Sequence, residues 1–307
     1  MTKIGVVRNP VKLASEEEVR AAILQSIPDA DIRFSTTTED DPGRAMAQDA
    51  VDAGCELILA AGGDGTVRAV AAVVAGTDSA LGILPHGTGN LLARNLGVPL
   101  DSTQAAVAHA LAAEPRRIDV GTIEITDGDD PGEHVFVVMA GLGLDARMLE
   151  ETDDELKAKA GWLAYVKALG AAAAGTELVR ASLSLDDEPE DRAQLHTLLI
   201  GNCGMIQGGI TLLPDAAPDD GVLDLLLVSA EGVADWFETV RALVWDNGLR
   251  RLLGGETMST DVMRHASARR VRVELEEAQP FQIDGEQHGT VRAFTAAIRP
   301  GVLLVRA

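Results

Sequence analysis

Two glycine-rich segments contain the residues whose types and spacing could bind a phosphate. The first is GGDGT, Gly62–Thr66, and the second is PHGTGN, Pro85–Asn90. Glycine lets the backbone approach an anion closely, so that its N–H groups can point at phosphate oxygens. Thr66 adds a hydroxyl donor, whereas Asp64 repels phosphate and suits a Mg²⁺ or water ligand better. Both segments predict phosphate binding, and an ordinary tight turn is the alternative for the first.

Further polar residues add to these two segments. Thr88 and Asn90 could supply polar contacts from the second segment, and Asn9, followed by Pro10, could contact a phosphate or cap a turn. Neither glycine-rich segment matches the P-loop pattern G-x-x-x-x-G-K-[ST] or the dinucleotide pattern G-x-G-x-x-G. The chemistry is therefore that of phosphate binding, without the signature of those two families.

The elements that must position these residues alternate between strand and helix over the first 125 residues. The predicted strands are Lys3–Val7, Asp31–Ser35, Glu56–Ala61 and Leu81–Leu84, and the predicted helices are Glu16–Gln25, Gly43–Ala53, Val67–Ala75 and one that begins at Leu91. This alternation predicts a parallel sheet with helices on both faces. Ligands of such sheets bind beyond the carboxyl ends of the strands, where both glycine-rich segments lie.

Strand patterns separated by turns dominate the rest of the chain. The predicted strands are Ile118–Ile125, His134–Ala140, Ala181–Leu185, Gln194–Asn202, Leu223–Val228, Arg270–Glu276 and Val302–Val305, and the predicted helices are Asp153–Ala174 and Gly232–Leu253. We therefore predict an α/β, Rossmann-like domain over 1–125 and a mainly antiparallel β domain over 126–307. The last strand is a candidate to return to the first domain.

The composition excludes several classes of protein. The 307 residues carry 26 Lys and Arg against 48 Asp and Glu, a net charge of −22, which argues against a nucleic-acid partner and against non-specific adhesion to anionic membranes. Cys55 and Cys203 are too few for a disulfide framework or a multi-cysteine zinc site. No run reaches about 18 apolar residues, and no signal-peptide pattern opens the sequence. We predict a cytoplasmic protein.

The motifs resemble a known family. GGDGT followed by GILPHGTGNLLARNLGVP closely resembles the diacylglycerol kinase catalytic domain, whose superfamily includes bacterial lipid kinases, sphingosine kinases and ceramide kinases. The second motif is the more specific, since GGDG also occurs in NAD kinases. Downstream, residues 204–228 resemble the family segment that ends in PxAxxDDGxLD, and FQIDGE, residues 281–286, resembles its DGE element. The resemblance covers nearly the whole chain, in the expected order.

The resemblance implies particular site residues. It implies that ATP contacts Asn9, Thr38, Gly62, Gly63, Asp64, Gly65, Thr66, Val67, Arg68 and Thr88. It also implies a Mg²⁺ site formed by Asp220 with the carbonyl oxygens of Ala217 and Val222, for which a plain acidic turn is the alternative. Asp284 and Glu286 should lie near the acceptor hydroxyl, where one accepts its proton or orients the alcohol. Without the resemblance, residues 284–286 would be interpreted as a hairpin turn.

The resemblance implies an ATP-dependent lipid kinase that phosphorylates a lipid hydroxyl, most simply that of diacylglycerol, to give phosphatidic acid. Its nucleotide would lie in the cleft between the two domains, and Trp162, Leu163, Tyr165 and Val166 are candidates for an acyl groove or for core packing. Such an enzyme would contact the inner membrane surface peripherally and transiently, with the basic residues Arg264, Arg269, Arg270 and Arg272 as a docking candidate. Edge strands of the second domain could pair two copies into a homodimer.

Three alternatives stay open. They are an NAD kinase-like enzyme with a soluble acceptor, a sphingoid-base kinase, and a nucleotide-binding regulator without turnover. The departures from the family pattern are Val11-Lys12 in place of Ser-Gly, Ala69 in place of Glu, and His86 in place of Leu. His86 is interpreted as structural, because phosphoryl transfer depends mostly on positioning and charge neutralisation.

Overall fold

The computed structural model describes residues 1–10, 15–143, 178–209, 211–229 and 263–307. These residues form two compact units, Met1–Val120 with Arg299–Ala307, and Gly121–Ile298. The departures Val11 and Lys12, the two helices predicted at Asp153–Ala174 and Gly232–Leu253, and the acyl-groove candidates at 162–166 lie outside the described residues.

The first unit contains a parallel sheet in the order β2-β1-β3-β4, and the end of β14 adds in parallel beside β4. Its strands are β1 Lys3–Arg8, β2 Asp31–Thr36, β3 Leu57–Gly62 and β4 Ala80–Pro85, and its helices are α1 Glu16–Ser26, α2 Arg44–Asp52, α3 Asp64–Val74, α4 Leu91–Leu96 and α5 Thr103–Ala112. All six residues of β3 are buried. The predicted strand–helix alternation is confirmed.

Two helix pairs cover this sheet, since α1 packs against α5 and α2 packs against α3. The chain reverses its direction across the sheet after β2, so the right-handed crossovers that nearly all parallel strand connections make would place the two pairs on opposite faces. Serine hydroxyls begin two of the helices: Ser15 accepts the N–H of Glu18 at 3.2 Å, and Ser102 accepts that of Ala105 at 3.2 Å.

The second unit is an antiparallel sheet in the order β12-β11-β10-β7-β13-β14, with β8 paired to β13, β9 paired to β8 and β6 paired to β5. Its strands are β5 Arg116–Gly128, β6 Gly132–Phe136, β7 Met139–Leu142, β8 Val179–Leu185, β9 Asp191–Leu195, β10 Thr197–Gly201, β11 Leu223–Val228, β12 Met263–Ala268, β13 Arg270–Ile283 and β14 Glu286–Val305. Its core holds the fully buried rings of Phe136, Phe281 and Phe294. The predicted antiparallel β architecture is confirmed.

The boundary between the units falls within β5 and β14, after Val120 and after Ile298. The sequence predicts a single boundary, at residue 125. No helix in the described part of the chain is both long and apolar enough to cross a membrane.

Several predicted element boundaries are wrong; the strand expected at Val302–Val305, for example, is only the end of β14. The helix expected at Val67 begins at Asp64, because Gly63 is extended and an acidic residue in the first turn favours the helix dipole. The single strand expected at His134–Ala140 is two strands, since the N–H groups of Val137 and Val138 bond to a carboxylate instead of to a neighbouring strand. The strand expected at Gln194–Asn202 is likewise divided, at His196.

Candidate functional site

The two glycine-rich segments lie side by side in the first unit. They follow β3 and β4, which pair in register with Gly62 opposite Pro85, and the N–H of His86 donates to the carbonyl oxygen of Gly62 at 3.0 Å. At the same edge the N–H of Asn9 donates to Ala61 at 2.9 Å. The ends of three neighbouring strands therefore bring the predicted Asn9 and both segments together.

Glycine is required at Gly87, where the two segments meet, and at Gly62, inside the first segment. A Cβ atom on Gly87 would lie 2.7 Å from the Cα atom of Gly63, and a Cβ on Gly62 would lie 2.7 Å from the Cβ of Thr66. Both distances are far below van der Waals contact, so a side chain at either position would push the backbone apart. The glycines therefore serve the packing of the two segments as well as any approach of a ligand.

Asp64 connects the two segments through its side chain. Its Oδ1 atom accepts the N–H of Leu91, the first residue of α4, at 2.6 Å. A Cβ on Gly89 would lie 2.6 Å from the Oδ2 atom, so a larger residue there would displace the Asp64 carboxylate. Asp64 thus caps a helix that follows the other glycine-rich segment, which is a structural contact that the sequence analysis did not predict.

Asn90 is used inside the second segment. It adopts φ 47°, and its side chain bonds back to Gly87, with Oδ1 accepting the N–H at 2.8 Å and Nδ2 donating to the carbonyl oxygen at 2.8 Å. Asn and Asp tolerate this left-handed conformation because their short polar side chains bond locally. The polar contact expected from Asn90 is therefore made within its own turn, whereas the hydroxyl-bearing Thr88 beside it is exposed.

The start of α3 offers backbone donors at this edge. Its N-cap is Gly63, which has no side chain to cap the helix, and the first intrahelical bond is the N–H of Val67 donating to Gly63 at 3.0 Å. The N–H groups of Asp64, Gly65 and Thr66 precede that bond, at the positive end of the helix dipole. The side chains of Thr66 and Val67 are buried, so Val67 offers a ligand only its backbone.

Thr38 lies in a loop that is ordered by Asp41. The N–H of Thr38 donates to the carbonyl oxygen of Asp41 at 3.0 Å, and its hydroxyl accepts the N–H of Asp41 at 3.1 Å. The Asp41 carboxylate accepts the N–H groups of Gly43, Arg44 and Ala45 at 2.8, 2.6 and 3.0 Å, so it caps α2. These backbone bonds, that of Gly43 first, lower the pKa of Asp41. The sequence signal was an Asp shortly before a predicted helix.

His86 is not a cationic phosphate ligand. Its Nε2 atom is buried and has no hydrogen-bond partner among the described residues. Burial lowers the pKa of this imidazole, while the charge of Glu18 acts weakly in the opposite direction. His86 is therefore neutral at pH 7, in keeping with a structural interpretation.

In the second unit, Asp284 and Gly285 form the two-residue turn between β13 and β14. Both have positive φ, 50° and 83°, and Ile283 pairs with Glu286, as in a type I′ hairpin. Asp284 is only 2% exposed. Its Oδ2 atom accepts the N–H of Val137 at 3.0 Å, and its Oδ1 atom accepts those of Val138 at 2.8 Å and Met139 at 3.0 Å.

This arrangement separates the two acidic residues of the DGE element. Asp284 directs both carboxylate oxygens at buried backbone groups, and its own N–H donates to Met139 at 2.8 Å. Glu286, by contrast, is exposed. Of this pair, Glu286 is the carboxylate that a molecule from solvent can reach. The contact from Asp284 to residues 137–139 was missed by the sequence analysis, because nothing local signals it.

The proposed metal ligands lie in a turn before β11. The Oδ1 atom of the exposed Asp220 accepts the N–H of Val222 at 3.1 Å. The neighbouring Asp224 is buried, which raises its pKa; a hydrogen bond from Ser267 at 3.0 Å lowers it, and the charges of Asp220 and Asp215 raise it again. A cation would relieve this repulsion, and carboxylate and carbonyl oxygens are the ligands that Mg²⁺ prefers. By donor type, the carboxylate of Asp220 and the carbonyl oxygens of Ala217 and Val222 suit Mg²⁺.

Comparisons with known families match both parts of the chain. A family model described as the diacylglycerol kinase catalytic domain matches residues 5–123. A second model, described as the YegS C-terminal NAD kinase beta sandwich-like domain, matches residues 137–307. The chain is also 32% identical over 299 residues to a Pseudomonas fluorescens protein named "Probable lipid kinase YegS-like", covering 96% of this chain and 92% of that protein.

Solved structures share the fold. A diacylglycerol kinase structure from Bacillus anthracis str. Sterne superimposes with a TM-score of 0.65 at 19% identity, covering 99% of this chain and 96% of that one. An NAD kinase from Archaeoglobus fulgidus in complex with ATP superimposes with a TM-score of 0.51 at 11% identity, covering 100% and 94%. At these identities the likeness shows the fold alone, and it confirms the predicted α/β domain followed by an antiparallel β domain.

Proposed function

The chain belongs to the YegS-like family of lipid kinases, and on that premise we propose that it transfers the γ-phosphate of ATP to the hydroxyl of diacylglycerol and so produces phosphatidic acid. The single observation that carries the proposal is the pair of glycine-rich segments held against each other at the ends of β3 and β4. An edge of this kind presents backbone N–H groups to an anion without a P-loop.

The phosphates of ATP are assigned to this edge. The N–H groups of residues 64–66 at the start of α3 would donate to phosphate oxygens, aided by the helix dipole. The exposed hydroxyls of Thr38 and Thr88 would add donors, and Asn9 lies beside the first segment. Arg68 follows one turn along α3, where its charge could offset that of the phosphates. Asp64 keeps the two segments together through its bond to Leu91.

Mg²⁺, when bound by Asp220 and the carbonyl oxygens of Ala217 and Val222, would neutralise negative charge on the transferred phosphate. The role of Asp220 in the proposal is thus to supply an anionic oxygen on an exposed turn. The Asx turn to Val222 holds that carboxylate in place.

Glu286 is the proposed acceptor-side group. Its exposed carboxylate would accept the hydroxyl proton of the lipid as the new oxygen–phosphorus bond forms and ADP leaves. Asp284 would act as a positioning residue, since its carboxylate holds the hairpin to the backbone of residues 137–139.

Because the substrate is embedded in a bilayer, the enzyme would contact the membrane surface peripherally. Arg270 and Arg272 alternate outward along β13 and are the proposed docking residues, whereas Arg264 is engaged with Asp191 at 3.3 Å.

The test is an assay with γ-labelled ATP and Mg²⁺ on three acceptors offered separately: diacylglycerol in mixed micelles, sphingosine in the same micelles, and water-soluble NAD. We expect label in chloroform-extractable phosphatidic acid. Label in sphingosine phosphate alone or in NADP alone would overturn the diacylglycerol assignment in favour of the corresponding alternative. ATP binding without turnover on any lipid of a total extract would overturn catalysis itself.

A further inference from the structure

Two histidines and an aspartate that have no role in the proposed kinase chemistry converge in the second unit. Asp130 lies in the turn between β5 and β6, His134 lies on β6, and His288 lies near the start of β14. The Asp130 Oδ2 atom is 3.4 Å from Nδ1 of His288 and 3.9 Å from Nε2 of His134. One ligand atom from each of the three residues lies within 4.8 Å of the others.

The spacing of these atoms suits a shared ion better than direct hydrogen bonds between the side chains. Good N–H···O bonds have heavy-atom distances of about 2.7–3.2 Å, and both carboxylate–imidazole distances exceed that range. In a tetrahedral site with metal–ligand bonds of about 2.0–2.1 Å, the ligand atoms are about 3.3 Å apart. The distance from Asp130 Oδ2 to His288 Nδ1, 3.4 Å, already matches this spacing. The distance from Asp130 Oδ2 to His134 Nε2, 3.9 Å, exceeds it by only about 0.6 Å.

The backbone around the cluster is held in place before any ion binds. Asp129 accepts the N–H of Thr290 at 2.7 Å and its hydroxyl at 2.9 Å, and the N–H of Asp129 donates to the carbonyl oxygen of Thr290 at 3.0 Å. These three bonds attach the turn that carries Asp130 to the strand that carries His288. The imidazole rings of His134 and His288 then meet edge to face, with centroids 4.5 Å apart.

A β-bulge places His288 in this position. Gln287 pairs with Gln282 and Thr290 pairs with Pro280, so β14 has one residue more than β13 over this interval, and Gly289 takes a φ of 68°. Bulges of this kind change the direction of a side chain along a strand. The side chains of His134 and His288 are only 17% and 20% exposed, whereas that of Asp130 is 60% exposed and can rotate.

The geometry points to a binding site for a zinc-class divalent ion formed by His134 Nε2, His288 Nδ1 and a carboxylate oxygen of Asp130. Two imidazoles and one carboxylate are a typical donor set for Zn²⁺ and related transition ions, and they leave one position for water. Mg²⁺ prefers oxygen ligands only, so this site differs in class from the one assigned to Asp220. Binding requires the Nδ1–H tautomer of His134 and gives up the 3.0 Å contact of its Nε2 atom with the carbonyl oxygen of Asp130.

The test uses the full chain without an affinity tag, stripped with EDTA and titrated with ZnCl₂ by calorimetry. We expect one Zn²⁺ per chain, with an affinity that a large excess of Mg²⁺ leaves unchanged. His134→Gln, His288→Gln and Asp130→Asn should each weaken binding by more than the ~10- to 100-fold that loss of an outer-sphere partner costs. His196→Gln, which removes a histidine of the same unit outside the cluster, should bind as the wild type does.

Thermal unfolding provides a second measurement, because an ion that binds only the folded chain raises the melting temperature. Zn²⁺ should raise it for the wild type and for His196→Gln, and should leave it unchanged for the three cluster variants. Wild-type affinity in all three cluster variants, or no Zn²⁺ bound by the wild type, would overturn the site. Asp130→Asn keeps the test valid if a histidine variant fails to fold, because Asp130 is exposed. None of these outcomes depends on kinase activity.

Discussion

Two aspartates, each next to a glycine in a motif of the family, are used differently in the two units. Asp64 lies at the start of α3, and its carboxylate accepts the N–H of Leu91, which follows the other glycine-rich segment. Asp284 lies in a hairpin turn, and its carboxylate accepts the N–H groups of Val137, Val138 and Met139. Asp64 is partly exposed, whereas Asp284 is 2% exposed. A motif carboxylate can therefore be either a group that a ligand reaches or a buried hydrogen-bond acceptor, and its exposure distinguishes the two.

The largest effect is expected for Asp284→Ala. It leaves three buried N–H groups without their acceptor, and each such group costs about 1–3 kcal/mol, so the free energy of unfolding should fall by at least about 3 kcal/mol. Asp284→Asn keeps an acceptor oxygen and tolerates positive φ, so its loss should be smaller. Denaturant titration of both variants measures this difference. A wild-type unfolding free energy for the alanine variant would contradict the structural role.

Asp64→Ala and Asp64→Asn separate capping from chemistry in the first unit. Loss of the bond to Leu91 should lower the free energy of unfolding of the alanine variant by about 1–2 kcal/mol. Asp64→Asn keeps an acceptor oxygen and should recover much of that loss. We expect kcat to fall by about 100-fold in both variants, because the carboxylate of Asp64 suits a Mg²⁺ or water ligand beside the phosphates and neither variant carries its charge. Full turnover by Asp64→Asn would show that this carboxylate serves packing alone.

Glu286→Gln should reduce activity without reducing stability. A general base contributes about 10²–10⁴-fold, so kcat should fall by at least about 100-fold. Because Glu286 is exposed, the free energy of unfolding should stay within about 0.5 kcal/mol of the wild type. Glu277→Gln, an exposed residue of β13, is the matched control and should keep full activity. If Glu286→Gln and Glu277→Gln were equally active, Glu286 would not be the residue that accepts the proton.

The smallest effect concerns a third carboxylate cap, that of Asp41 on α2. Asp41→Ala should cost about 1 kcal/mol of unfolding free energy at pH 7. The backbone bonds lower the pKa of Asp41 in the folded chain, so this contribution is complete above the unfolded-state pKa of about 3.9 and is lost as the pH falls through the lower folded-state value. Denaturant titration should show that the difference in unfolding free energy between the wild type and Asp41→Ala is smaller at acid pH than at neutral pH. The exposed neighbour Asp40, changed to Ala, should show neither effect.

The first unit could be predicted more fully than the second. Its strands are short, each is followed by glycine or a polar turn, and the order along the chain implies the parallel sheet. In the second unit, the division of β6 from β7 could not be predicted, because it depends on a carboxylate 147 residues away from Val137. Local pattern favoured one continuous strand there, and a tertiary contact overrode it.

The sequence by itself determined the alternation of strands and helices, the position of both glycine-rich segments at strand ends, and the type I′ turn that Asp-Gly favours at residues 284 and 285. These features depend on residue type and local spacing, which the chain carries without any distant contact. Only the tertiary structure decided that Asp284 faces the interior while Glu286 faces solvent, that Asp64 caps α4, and that Asp130, His134 and His288 meet. Each of these is a contact between segments far apart in sequence, and its geometry is set by strand pairing and by bulges that no local pattern specifies.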